Sequence, residues 1–435
     1  MKVKWIHTAD IHLGFHQYGI SERADDFARA FKYVCDYAID SKVDFMLIAG
    51  DLFHRRNIDG RTISQAYLAL RSLKDANIPV ICVEGNHERA FLNSGWSFLD
   101  FLSSAAELIH LLSPVHRGGS VLMEPWDHES KLGSFIDLGP VRVYGIKYYG
   151  TSTGKILEQI TSKLQVDGNR FNIFMVHEGL EGQIPRAIGG ITSYHLDLIR
   201  PHCKYLAMGH VHKRYEIDNW AFNPGSLETC SVEEADWERG FYEVTADINK
   251  GEVLEVKHIS VPTRRPFYRI FLDVKYYDTP EDLERAVIDK VRSRIPKYSE
   301  NPSQPIIHVT LSGSLRFSEE LLALKNLQEK IYEEVNPLTV QIKNNTLPSG
   351  YSPDVPLDST GQIDRRSLEL EVFESLIQDY PAFKDKRRTW AESIQKIKDR
   401  ALLNAPPEEI ITIIEEALRE DSSRQDNIDN QEAMT

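Results

Sequence analysis

The sequence predicts an α/β fold: a two-sheet β-sandwich flanked by helices, followed by a small α+β unit and C-terminal helices. Two observations carry this. Short apolar runs alternate with helix-period segments through residues 1–262, and further short strand-like runs from Val141 onward supply a second sheet packed on the first. At Pro266 a different, more compact alternation begins.

Taken in order, Lys4-Trp5-Ile6-His7, Asp44 to Ile48, Pro79 to Val83 and Asn172 to Val176 read as strands of the sandwich. Val141 to Ile146, Lys204 to Met208, Tyr215 to Ile217 and Gly240 to Val244 are its shorter strands. The next unit, residues 263–345, has strand-like Phe267 to Val274, Ile306 to Leu311 and Leu338 to Ile342, with helices over Pro280 to Arg294 and Glu319 to Val335. A linker is expected over 346–362, where Pro348, Gly350, Pro353, Pro356 and Gly361 suit an extended connection.

Residues 363–419 carry helical patterns. Leu368, Val372, Leu376 and Tyr380 recur every four residues, and Trp390, Ile394, Ile397 and Leu402 follow Pro381. Asn404-Ala405-Pro406-Pro407 opens a last helix striped by Ile410, Ile413, Ile414, Ala417 and Leu418. Short amphipathic helices need a surface for their stripe, either this chain's own domains or a partner. The acidic stretch 420–435 is expected to be disordered.

The 435 residues are 41% hydrophobic, 27% charged and 10% aromatic, a globular composition with no low-complexity tract. Four cysteines (Cys35, Cys82, Cys203, Cys230) form no Cys-x-x-Cys pair, which excludes a zinc ribbon or dithiol motif. A cytoplasmic protein is expected, since Met1 to Ile6 leads into a strand without a signal core and no run reaches membrane-spanning length. The net charge of −14 argues against nucleic acid as a ligand only on average. Residues 406–435 contribute −7 of it, whereas residues 263–350 have a net of +1 and are free to carry a basic face.

Five blocks put metal-competent side chains at the C-terminal ends of strand-like runs, where α/β sheets open their binding crevices. They are Asp10-Ile11-His12, Gly50-Asp51, Gly85-Asn86-His87-Glu88, His177-Glu178 and Gly209-His210-Val211-His212. An isolated histidine is more often structural than a ligand; the ordered set is not. Oxygen and imidazole donors without thiolate suit manganese, iron, zinc or magnesium. Seven candidates exceed one tetrahedral site and suit two ions sharing a carboxylate, the arrangement that serves phosphoester hydrolysis.

In this order the blocks resemble those of the calcineurin-like metallophosphoesterases. Thr8-Ala9-Asp10-Ile11-His12-Leu13-Gly14, Ala49-Gly50-Asp51-Leu52-Phe53-His54 and Asn223-Pro224-Gly225-Ser226 are similar to the Mre-eleven/SbcD family of double-strand-break repair nucleases. The resemblance implies a nuclease domain over 1–262, a DNA-binding capping domain over 263–345, and a helical segment over 363–419 that docks a Rad-fifty/SbcC-type coiled-coil ATPase. It further implies two divalent ions, manganese first. Asp10, His12, Asp51 and His212 would hold one ion and Asp51, Asn86, His177 and His210 the other, with Asp51 bridging. His87 would meet the scissile phosphate, His54 would place the DNA end for exonucleolytic cutting, and Glu88 would orient His87 or anchor its loop.

Arg55, Arg56, Arg264 and Arg265 are candidate phosphate contacts, with Arg269, Arg292, Arg294 and Lys297 behind them. Against this stands a solvated charged surface. Phe91, Leu92, Trp96, Phe98, Leu99, Phe101 and Leu102 are either core or a homodimer contact. Gly150-Thr151-Ser152-Thr153-Gly154-Lys155-Ile156 imitates a P-loop, but its glycine spacing is one residue short and Ile156 replaces the magnesium-binding hydroxyl. The reading is therefore a manganese-dependent DNA exonuclease and endonuclease, of prokaryotic form. Its alternatives are a small-molecule phosphodiesterase or phosphatase, and a non-catalytic DNA-tethering scaffold.

Overall fold

The structure, a computed structural model, describes residues 1–90, 95–183, 190–295, 303–347, 365–377, 380, 383, 386–402 and 406–422. Phe91, Leu92, Lys297, nearly all of the expected linker and the tail beyond 422 lie outside the described residues. The chain divides into two compact units, residues 1–313 with 320–346, and residues 314–319 with 347–435.

In the first unit, chain order gives β1 (Lys2–Thr8), β2 (Phe45–Ile48), β3 (Val80–Val83), β4 (His110–Leu112), β5 (Val115–Arg117), β6 (Ser120–Leu122), β7 (Phe135–Leu138) and β8 (Val141–Ile146). These are followed by β9 (Phe171–His177), β10 (Tyr205–Gly209), β11 (Tyr215–Ile217), β12 (Ala221–Asn223), β13 (Gly240–Asp247) and β14 (Glu252–Ser260). One six-stranded sheet has the order β14-β13-β1-β2-β3-β4 and the other β11-β12-β10-β9-β8-β7. Strands β1 to β4 run parallel, as do β8, β9, β10 and β12, so the ends that follow them open on one edge of each sheet.

Trp5, Phe45, Leu47, Ile81, Val143, Ile173, Met175, Tyr205 and Phe222 fill the space between the sheets. On the outer face of the first sheet lies the helix Ser21–Asp40, whose Phe27, Ala30, Phe31, Val34, Cys35 and Ala38 recur at helical spacing and are all fully buried. Beside it the helix Gly60–Asp75 is capped by Asp59, which accepts from Thr62 N at 2.7 Å. The outer face of the second sheet is covered by Thr153–Thr161 and Ser193–Ile199 through Leu157, Ile160, Leu196 and Ile199. The result is a four-layer sandwich, helices outside and two sheets within.

The same unit continues into β15 (Phe267–Asp273), β16 (Ile306–Ser314) and β17 (Thr339–Leu347), a small sheet in that order whose first pair is parallel. Helices Pro280–Arg294 and Leu324–Val335 bury Leu283, Val287, Val291, Leu327 and Ile331. A closed set of charges joins this part to the sandwich. Arg265 donates through Nη2 to Asp26 Oδ1 at 2.8 Å and through Nη1 to Gln304 O at 2.6 Å. Arg23 reaches Asp26 at 2.6 Å and Glu228 at 2.7 Å. All four side chains are buried.

The second unit contains helices Arg365–Ile377, Arg387–Leu402 and Pro407–Ser422. The first two pack through Leu370, Phe373, Ile377, Trp390, Ala391 and Ile394. Of the stripe expected on the first helix, Val372 and Leu376 are exposed, as is Tyr380, and none of these packs on the second helix. The sequence 365–377 carries two apolar stripes, and the one containing Leu370 and Ile377 meets Ala391. On the last helix Ala417 is buried while Ile411, Ile414 and Leu418 are exposed. No helix among the described residues is long and apolar enough to cross a membrane.

Candidate active site

The site grows from the turns after β1, β2, β3 and β10 and from the last residue of β9. The first two turns are bound to each other: Asp10 N donates to Gly50 O at 3.1 Å, and Ile11 N and His12 N both reach Asp51 O, at 2.9 and 3.0 Å. This requires unusual backbone. Asp10, His12, Asp51 and His210 all have positive φ, at 52°, 54°, 53° and 84°. Such conformations cost about 1–3 kcal/mol each in non-glycine residues and persist only where the surroundings impose them.

Glycine makes the closest approaches possible. A Cβ on Gly50, at φ 91°, would stand 2.2 Å from His177 Nδ1, and one on Gly85 would stand 2.1 Å from Asp51 Oδ1. Both sites admit only hydrogen. The motif glycines are there to let the ligand side chains pack against backbone.

The seven expected ligands converge. Asn86 Oδ1 lies 3.1 Å from His177 Nε2 and 2.8 Å from His210 Nδ1. Asp51 Oδ2 is 3.3 Å from His177 Nε2 and 4.0 Å from His12 Nε2. His12 Nε2 is 2.9 Å from His212 Nε2, which stands 3.9 Å from Asp10 Oδ1. Asp51 therefore touches both groups, Asn86–His177–His210 on one side and Asp10–His12–His212 on the other.

The donors suit cations. Asp10 and Asp51 are buried, yet among the described residues no lysine or arginine pairs with either, and the positive charge they need comes from imidazoles. Burial pushes the Asp10 carboxyl up to about 6. At Asp51 burial acts in the same direction but is outweighed by His177, which holds this carboxyl far below its usual range. Burial opposes charge on His177, and the Asp51 carboxylate overrides it and raises the imidazole to about 9. Two buried carboxylates ringed by imidazole nitrogens and one amide oxygen fit two divalent ions.

Supporting contacts fix which nitrogen faces inward. His177 donates from Nδ1 to Ala49 O at 2.7 Å, leaving Nε2 for the site. His212 donates from Nδ1 to Glu234 Oε1 at 2.8 Å, and Arg239 holds Glu234 at 2.9 Å. His210 N donates to both Asp10 oxygens, at 3.1 and 3.0 Å. Glu234 has no motif signature: it lies 22 residues beyond His212 and is delivered by a short helical turn, Val232–Glu234.

His87 is half-buried, donating from Nδ1 to His54 O at 2.8 Å, with Nε2 4.0 Å from Asp51 Oδ2. His54 stacks on Phe15 with ring centroids 3.8 Å apart and has Nδ1 3.4 Å from His12 Nδ1. Glu88 turns away from His87 and accepts from Phe53 N at 2.8 Å and Gly85 N at 3.2 Å. It fastens the loop. Burial, with Asp51 next, pushes its carboxyl up to about 8.

Tyr148, which no motif signals, stacks on His210 at 5.5 Å with the Arg89 guanidinium over its ring. Among the arginines, Arg55 is exposed, Arg56 is half-buried and Arg264 donates to Trp237 O at 3.2 Å. Arg265 is corrected: its guanidinium is spent on Asp26 and Gln304, so it presents nothing to a phosphate. His7, which lies outside the ligand blocks, is held by Tyr205 Oη and Met208 O.

Residues 3–214 match the family model described as calcineurin-like phosphoesterase. "DNA double-strand break repair protein Mre11" of Archaeoglobus fulgidus is 33% identical over 238 residues, 54% of this chain and 52% of that protein. The chain thus spans about half the length of this curated relative. Proteins of the same name from Aeropyrum pernix and Sulfolobus acidocaldarius are 27% and 26% identical, covering 73% and 74% of this chain and 75% and 78% of their own. Ligand-competent side chains gathered at the strand ends of a two-sheet sandwich agree with that match, and over residues 3–214 this chain belongs to the calcineurin-like metallophosphoesterase superfamily.

Proposed function

We propose that the chain is a manganese-dependent DNA nuclease that removes nucleotides from 3′ ends, cuts DNA structures endonucleolytically, and acts on double-strand breaks with a Rad-fifty/SbcC-type ATPase. The observation that carries this reading is Asp51, whose carboxylate faces both the Asn86–His177–His210 group and the Asp10–His12–His212 group. Asp10, His12, Asp51 and His212 hold one ion in this reading, and Asp51, Asn86, His177 and His210 the other. Bound divalent ions would acidify a water and neutralise charge on a phosphoryl group.

The chain's own side chains supply the rest. Nε2 of His87, half-exposed beside Asp51, is placed to donate to a phosphate oxygen or leaving group. His54, braced by Phe15, lines the same opening and positions the DNA end. Arg55 and Arg56 meet backbone phosphates, the capping part over 263–345 adds further contacts, and a second copy of the chain aligns two sites. Exposed Trp96 and Phe101 suit such a contact, while Leu99 and Leu102 are core. Exposed Ile411, Ile414 and Leu418 on the last helix offer the ATPase an apolar surface.

A duplex-versus-nucleotide panel tests this. End-labelled linear duplex, a hairpin and a small chromogenic phosphodiester are incubated with manganese, magnesium or chelator. Preferential degradation of the DNAs with manganese is expected; turnover of the small phosphodiester alone would replace the nuclease reading with a general phosphodiesterase.

A further inference from the structure

The opening over the ligand groups has a second cationic edge, which no motif marks. Arg89 stands two residues beyond His87 on the turn after β3 and is exposed, and its guanidinium lies 5.7 Å from the centre of the Tyr148 ring. That ring stacks in turn on His210, with centroids 5.5 Å apart, and meets His177 edge-on at 6.2 Å. The guanidinium is thus one ring away from two members of the Asn86–His177–His210 group. Tyr148 N donates to Glu84 O at 2.9 Å, which ties the turn after β8 to the end of β3 and presents Tyr148 and Arg89 together.

The charge of Arg89 is not spent within the protein. Arg23, Arg142, Arg170, Arg214, Arg239 and Arg265 each pair with a carboxylate. Among the described residues no carboxylate pairs with Arg89, whose contact is the Tyr148 ring. Lys147, on the same turn as Tyr148, is alike: its ammonium lies 5.7 Å from the centre of the Tyr149 ring, and no carboxylate among the described residues pairs with it. Glu84, the acid that feels both cations, is buried and gives Oε2 to the Ala90 N–H at 3.2 Å. Burial pushes its carboxyl above the usual range, against the pull of Lys147 and Arg89. A cation held over an aromatic face is fixed in place and keeps its charge for an anion.

We propose that Arg89, seated on Tyr148, binds the phosphate next to the scissile one, and that this second phosphate contact makes the site select a nucleotide strand over a single phosphodiester. The inference rests on reading the ligand groups as a nuclease centre. Where a 3′-terminal nucleotide is removed, the only neighbouring phosphate lies on the retained strand, so Arg89 holds the strand that stays. The planar guanidinium can donate two N–H bonds to one phosphate. Such a contact positions the strand without reading its bases. Arg55 and Arg56 follow His54, which lies beside His12, so Arg89 serves the other ligand group.

The test uses the full-length protein with manganese and a duplex labelled on its 3′-terminal nucleotide, made once with ordinary linkages and once with a neutral methylphosphonate at the linkage next to the terminal one. Release of the labelled nucleotide is timed for the unsubstituted protein, Arg89→Ala, Tyr148→Phe and Tyr148→Leu, and manganese binding is followed by calorimetry. For the unsubstituted protein the neutral linkage should lower kcat/KM about tenfold or more, the scale of one charge-assisted contact. Arg89→Ala should lose as much on the ordinary duplex and nothing further on the neutral one, with manganese affinity retained. Tyr148→Phe, which keeps the ring, should keep the response to the neutral linkage, and Tyr148→Leu should lose it; a full response in Tyr148→Leu would overturn the role of the ring. A neutral linkage without effect on the unsubstituted protein, or one that slows Arg89→Ala just as much, would overturn the Arg89 assignment and leave the nuclease reading standing. No release from the ordinary duplex by the unsubstituted protein would overturn both.

Discussion

Glu234 accepts the Nδ1 proton of His212 at 2.8 Å, and this single bond turns His212 Nε2 toward His12 Nε2, 2.9 Å away. A carboxylate behind an imidazole fixes its tautomer and raises its basicity as a ligand. Glu234→Gln should therefore weaken manganese binding by about 10- to 100-fold while the fold persists. Calorimetric titration reads this directly. Unchanged affinity would mean that Glu234 serves only Arg239 and the Cys230 turn.

Gly85 has Asp51 Oδ1 where a Cβ would go, at 2.1 Å. Gly85→Ala should displace the carboxylate shared by both ligand groups and abolish the binding of two ions, with far-ultraviolet circular dichroism retained. Stoichiometric binding of two manganese ions by this variant would show that the shared carboxylate tolerates movement.

Arg265 and Arg55 should part company. Removing Arg265 takes a charge-assisted contact from buried Asp26, which keeps Arg23 and Arg29, and a loss of about 1.5–3 kcal/mol is expected. Arg55 is exposed, so Arg55→Ala should alter stability by no more than about 0.5 kcal/mol. Its effect belongs on DNA affinity, with a shallower salt dependence. Denaturant unfolding separates the two variants, and equal stability losses would contradict the placement of either.

His7 gives the sandwich a pH dependence of its own. Burial, partly offset by the Met208 carbonyl, lowers this imidazole to about 3, against 6.5 when unfolded. Between those values the unfolded chain takes up a proton that the folded one refuses. Stability is therefore complete above about pH 6.5 and lost as the pH falls toward 3, by up to about 1.4 kcal/mol per pH unit from this group. In chelator, His7→Gln should show a shallower fall between pH 6 and 4 than the unsubstituted protein. Parallel curves would place the histidine's protonation elsewhere.

The ligand blocks were legible because each ends a short parallel strand, and parallel strands deliver their C-terminal turns to a common edge whatever lies between them in the chain. Glu234, Phe15 and Tyr148 were not, because their neighbours at the site come from distant segments that no fixed spacing records. Arg265 was misread for a related reason: its partners Asp26 and Gln304 are brought to it by the fold, and an arginine's charge says nothing of its burial. On the helix Arg365–Ile377, two stripes compete, and only Ala391 and Trp390 decide which is covered.

Cleavage of end-labelled linear duplex DNA with manganese, by the unsubstituted protein and by Asp51→Ala, tests the central claim most directly. Shared between two ligand groups, Asp51 should be indispensable: the unsubstituted protein shortens the duplex, and the variant does no more than the chelated control. Manganese-dependent shortening by Asp51→Ala at an undiminished rate would contradict a two-ion centre organised around this carboxylate.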